Sequence, residues 1–130
     1  MQIAFASKDG VHVNEHFGWC DTFYLYRIDG SGIHHIGISD ASLQFTEELD
    51  RLDYKIECLK GSHIACVAQI GPKAATLLQS FGIYPLRSSS ENETIESINH
   101  TLYRYMDDEH APLWFKRMAY QQMHDISQGV

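Results

Sequence analysis

The run His63-Ile64-Ala65-Cys66-Val67-Ala68-Gln69-Ile70 is almost continuously apolar and is followed at once by Gly71-Pro72. A strand with one wet face alternates apolar and polar residues. A run without that alternation is covered on both faces, as a central strand of a parallel or mixed sheet is. Gly71-Pro72 then opens a helix over 73–81, with proline near its first turn, and Gly82 closes it. Residues 83–87 supply the next strand. A strand, a helix and a strand joined this tightly make a crossover unit, and the sheet around it must hold helices on its faces.

The rest of the chain falls in with that unit. Residues 2–7 read as a short buried strand. Residues 22–28 and 33–39 are rich in aromatic and β-branched side chains, and Asp29-Gly30-Ser31-Gly32 between them is a hairpin turn. Over 46–60 the period changes: Leu49, Leu52, Ile56 and Leu59 make a one-sided helical stripe, with Glu47 and Glu48 near its start and Gly61 placed to end it. A third helix is expected over 94–106, with Ile95, Ile98, Leu102 and Tyr105 on one face. The predicted order is β-β-β-α-β-α-β-α, a five-stranded mixed sheet with helices on its faces. Residues 1–106 form the expected α/β domain. Residues 107–130 form a tail packed on it or extending from it, in which Leu113-Trp114-Phe115 packs back on the sheet or offers a partner surface.

At 130 residues with 44% hydrophobic content, the chain can fill one core. A net charge of −7 argues against nucleic acid or an anionic membrane surface as the main partner. No run approaches the ~20 apolar residues of a membrane span. The start, Met1-Gln2-Ile3-Ala4, reads as a strand and not as a signal peptide, so a cytosolic location is expected. Cys20, Cys58 and Cys66 are odd in number and form no CxxC, which excludes a zinc ribbon or thioredoxin motif. No GxGxxG or P-loop is present.

In sheets of this kind ligands gather beyond the carboxyl ends of the strands. The loops over 8–20 and 69–72 are therefore expected at one edge. The first of them, Asp9-Gly10-Val11-His12-Val13-Asn14-Glu15-His16-Phe17-Gly18-Trp19-Cys20, crowds imidazole, carboxylate and thiol groups together. These are the groups that bind metals. His12 and His16 are either ligands or solvated loop histidines. Cys20 is either a fourth-spaced thiolate or a small buried hydrophobe, and the latter is the expectation for Cys58 and Cys66. Gly71 marks a helix start whose unpaired N–H groups suit an anion, or a tight connection that merely needs glycine. His34, His35, His63, His100, His110 and His124 are expected to be structural or solvated, with His100 and His110 kept as secondary candidates to line a site.

Ile3-Ala4-Phe5-Ala6-Ser7 with Asp9-Gly10, His12-Val13 and His16-Phe17-Gly18 resembles the start of NifX-type nitrogenase cofactor carriers, a family that includes NafY and the C-terminal domain of NifB. The likeness continues through Ala68-Gln69-Ile70-Gly71-Pro72-Lys73-Ala74-Ala75, Phe81-Gly82-Ile83-Tyr84-Pro85 and Pro112-Leu113-Trp114-Phe115-Lys116-Arg117. It implies a ribonuclease-H-like fold without nuclease activity, and no enzymatic role. It implies transient binding of an iron–sulfur precursor of the iron–molybdenum cofactor, either NifB-cofactor or a later intermediate. The implied partners are a NifB-type donor and a NifEN-type acceptor, with the chain a monomer or weak dimer. The resemblance assigns the cluster ligand to His16 alone; His12, Cys20 and Gly71 join it on physical grounds. A regulatory or interaction module that binds no cluster is the competing expectation. A metal-dependent hydrolase is disfavoured, since the strands predicted here carry no carboxylates.

Overall fold

The computed structural model describes the backbone of residues 1–128 and the side chains of residues 1–122. Its strands are β1 (Gln2–Ala6), β2 (Thr22–Asp29), β3 (Gly32–Asp40), β4 (Ile64–Val67) and β5 (Tyr84–Arg87). Its helices are α1 (Glu48–Glu57), α2 (Pro72–Ser80), α3 (Ile95–Tyr105) and α4 (Leu113–Gln128). The five strands form one mixed sheet in the order β3-β2-β1-β4-β5. β1, β4 and β5 run parallel, while β2 is antiparallel to both β1 and β3. The predicted mixed sheet is therefore present, and the tail contributes a fourth helix.

The apolar run at β4 behaves as its pattern requires. Ile64 and Cys66 enter the core beneath α3 and α4, and Ala65 and Val67 enter the core beneath α1 and α2. The first core is completed by Ile3, Phe5, Ile28, Ile98, Leu102 and Phe115. The second is completed by Ala4, Phe17, Phe23, Leu52, Ile56 and Leu78. Each of the valine, leucine, isoleucine and phenylalanine side chains among them contributes roughly 1.5–3 kcal/mol by leaving water. In the tail, Phe115 is buried and Trp114 stacks on Tyr84 of β5 at 4.2 Å, so the aromatic segment packs on the sheet.

Two details differ from the sequence reading. Leu49, expected in the core stripe of α1, is 56% exposed, because the first turn of that helix overhangs the packed surface. Lys55, on the same helix, is buried and donates from Nζ to the carbonyls of Cys20 and Ala41. An ammonium tolerates such a place because those two carbonyl oxygens replace water. No helix among the described residues is long and apolar enough to cross a membrane. The side chain of His124 lies outside the described residues.

Candidate functional site

The loop between β1 and β2 is fixed by side-chain-capped turns at its start and by backbone bridges further along. Its first turn is built on Asp9, whose Oδ1 accepts the N–H groups of Val11 and His12 at 2.9 and 2.8 Å. Gly10 sits at φ 75°, and a Cβ there would lie 2.9 Å from the Tyr24 ring, so glycine is required on both counts. Further along, Val13 N–H donates to the Glu93 carbonyl at 2.9 Å. Ala68 N–H donates to the Glu15 carbonyl and Phe17 N–H to the Gln69 carbonyl, each at 2.9 Å. These last two bonds make a short parallel bridge between His16 and Gln69. Val13, Phe17 and Cys20 are fully buried and peg the loop down, which leaves His16 and Trp19 exposed between them.

The expected meeting of the two loops thus occurs. Beyond the carboxyl end of β4 lies an open cleft of about 440 Å³, lined by His16, Gly18 and Trp19 on one side and by residues 69–74 on the other. Gly71 precedes α2 in an extended conformation and Pro72 opens that helix, so no side chain caps it. The first-turn N–H groups of Lys73 and Ala74, both cleft residues, have no partner within the helix. The helix dipole places partial positive charge there.

Three cations that the sequence reading did not single out reach the cleft from three elements. Arg51 of α1 lies over the Trp19 ring at 4.7 Å, and its Nε is buried without a partner. Lys73 of α2 pairs with Glu48 of α1 at 3.4 Å. Arg87 of β5 donates from Nε to the Ala68 carbonyl at 3.3 Å. Glu48 is the one carboxylate among the cleft's lining residues. In a chain of net charge −7, this makes the cleft a locally cationic region. Asp9 and Glu15 do not line it. Asp9 is engaged by His12 at 2.7 Å, a bond that holds its carboxyl well below the usual carboxylate range, and Glu15 lies 3.7 Å from Lys8.

Of the four residues expected at the site, His16 and Gly71 come together in the cleft. His12 points its Nδ1 at Asp9 and bridges to Thr94, outside the cleft. Cys20 turns inward and is fully buried, where its thiol donates to the Thr22 carbonyl at 2.9 Å. Burial pushes that thiol up to about 12, so it stays protonated at neutral pH and offers no thiolate. Cys66 is buried in β4 and its thiol is pushed up in the same way, while Cys58 is half-buried. Among the described residues no group of three or more His, Cys, Asp or Glu side chains is placed to hold a metal ion. His16 is therefore an open, single imidazole, with backbone amides and cations around it.

The fold and cleft define an α/β domain that presents one exposed histidine beside a helix start, at the carboxyl edge of its parallel strands. Residues 1–104 match the family described as Dinitrogenase iron-molybdenum cofactor, and the chain belongs to that family. It is 28% identical over 119 residues to Protein NifX of Herbaspirillum seropedicae, covering 90% of this chain and 80% of that one. It is 26% identical over 128 residues to Protein NifX of Sinorhizobium fredii, covering 93% and 79%. FeMo cofactor biosynthesis protein NifB of Rhodobacter capsulatus is 30% identical over 107 residues, which is 80% of this chain but 24% of that longer protein. Among solved structures, the crystal structure of PH0822 shares the fold with a TM-score of 0.55 at 22% identity, over 67% of this chain and 78% of that one.

Proposed function

We propose that this protein binds an iron–sulfur precursor of the iron–molybdenum cofactor in the cleft and passes it on during cofactor assembly. Family membership and likeness to NifX and NifB support a role in the biosynthesis of that cofactor. The observation that carries the finer reading is the single exposed imidazole of His16 opposite the uncapped start of α2. A carrier has to release its cargo. One reversible imidazole bond, supplemented by ionic and hydrogen-bonded contacts, meets that need better than a cage of thiolates. Arg51, Lys73, Arg87 and the amides of Lys73 and Ala74 would offset the negative charge of a sulfide-rich cluster. NifB-cofactor is the proposed cargo, a NifB-type protein its donor and a NifEN-type protein its acceptor. No catalytic step is assigned to the chain.

Anaerobic titration of the colourless protein with isolated NifB-cofactor, followed by gel filtration, tests this reading. Colour should co-elute with the protein at a fixed stoichiometry, and His16→Ala should lose most of it. Equal binding by His16→Ala would remove His16 as the ligand. Failure of colour to co-elute, with the cluster shown intact on a control carrier, would favour an interaction module.

A further inference from the structure

We propose that the chain carries a second ligand site, on the α3 side of the sheet, which takes a small neutral aromatic compound bearing one hydrogen-bond donor. The site is separate from the cleft around His16 and does not depend on what that cleft binds.

The starting point is Asn99. It lies on the inward face of α3 with Ile95, Ile98 and Leu102, and it is only 2% exposed. Its side-chain oxygen has no hydrogen-bond partner. Buried amides in folded proteins are almost always paired, because an unpaired one forfeits its hydration for nothing. The helical stripe calls for a leucine at this position, and a leucine would serve packing better. An asparagine where local packing calls for leucine is the kind of departure that function explains.

Asn99 lines a cavity that gives its amide something to do. The cavity has a volume of about 410 Å³ and is walled by Val11, Tyr26, Ile33 and Ile95, with Glu96 and His100 also lining it. That volume falls in the range of small-molecule sites, roughly 300–1,000 Å³. The Tyr26 wall is rigid: its ring meets Phe5 edge-on at 5.5 Å and stacks on His35 at 4.8 Å. The Val11 wall is equally fixed, since Asp9 holds the Val11 N–H and the Val11 carbonyl accepts from Ile95 N–H at 2.8 Å. His100 and Glu96, 3.8 Å apart, are both exposed and supply polar groups at the solvent side.

This combination selects its ligand. Apolar walls that include one aromatic ring favour an aromatic ligand. A single buried amide adds one directional hydrogen bond, and rotation of the amide can turn its oxygen toward an N–H or O–H of the ligand. No buried charge lines the cavity, so a neutral compound is preferred to an ion.

Indole and naphthalene serve as probes, being of similar shape with and without an N–H. Isotope-labelled protein is titrated with each and followed by amide NMR, including the Asn99 side chain. Indole should produce saturable shifts at Val11, Tyr26, Ile33 and Asn99 and should bind about tenfold more tightly than naphthalene. Asn99→Leu, whose fold is checked by its own spectrum, should erase that preference. Equal affinity of the two probes for the parent protein would overturn the proposal without recourse to any variant. So would unsaturable shifts scattered over the surface, unchanged indole binding in Asn99→Leu, or a long-lived water on Asn99 that indole does not displace.

Discussion

Replacing Lys55 by methionine tests whether one buried cation secures the loop between β1 and β2. Lys55 is 3% exposed, and its Nζ ties the Cys20 carbonyl at the end of the loop to the Ala41 carbonyl just after β3. Methionine fills nearly the same volume, so the cavity left behind is small. What changes is that two buried carbonyl oxygens lose their donor, at about 1–3 kcal/mol each. Against this, the variant no longer has to strip water from an ammonium, a cost of several kcal/mol in the parent of which the carbonyls repay most. The balance is a net loss of about 2–4 kcal/mol, a large share of the roughly 5–15 kcal/mol that holds a domain together. For a chain of this size the melting temperature should fall by roughly 6–16 °C. Urea unfolding read by circular dichroism gives the free energy, and an unchanged slope would show that the loss lies in the native state. Amide exchange at Phe17 and Trp19 should quicken more than exchange in α3, because the strain falls on the loop. A Lys55→Met protein as stable as the parent, within about 0.5 kcal/mol, would refute the assignment of Lys55 as the loop's anchor.

Three further outcomes are expected. Cys20→Ala should leave the proposed cluster binding unchanged while lowering stability by about 1 kcal/mol, since its thiol is packed inward; loss of that binding with the fold intact would return Cys20 to the candidate ligands. Gly10→Ala should cost about 1–3 kcal/mol, because alanine must adopt φ 75° and displace the Tyr24 ring, and thermal unfolding measures it. His63 is held below its usual range by burial, with Nδ1 accepting the Gln2 N–H at 3.0 Å. The unfolded chain therefore binds the proton more readily, and stability must fall as pH drops through about 6.5 toward the lower folded value. His63→Gln should flatten that part of the pH–stability curve; an unaltered slope would show that another group sets it.

The main lines of the fold were legible because they rest on periodicity. The unbroken apolar run of β4, the hairpin turn at Asp29-Gly30-Ser31-Gly32 and the stripes of α1 and α3 each state a local requirement that the fold meets, the α1 stripe from Leu52 onward. The candidate site was legible only in part. The meeting of the loops that carry His16 and Gly71 could be read because each follows a parallel strand's carboxyl end, and two parallel strands bring such loops to the same edge, whereas His16 as a ligand rests on the family resemblance. Cys20 was set beside them because a crowded segment shows which groups are near in sequence but not which of them face inward. In this loop every inward turn is taken by a peg, and Cys20 is one. Arg51, Lys73 and Arg87 could not be picked out at all, for they meet only after α1, α2 and β5 are in place. Lys55 and Asn99 were missed for a related reason: each departs from the pattern of its own helix, and the motive for departing lies on another element.

The bridge between His16 and Gln69 joins peptide groups, and no part of the His16 side chain takes part in holding the loop. The mounting and the mounted group are therefore independent. Cysteine, methionine or glutamate at position 16 would be presented at the same spot, to the same helix start, with the fold undisturbed. Under the proposed function, such a socket would let the hardness of the donor atom be exchanged one residue at a time, and with it the cluster chemistry the cleft would accept.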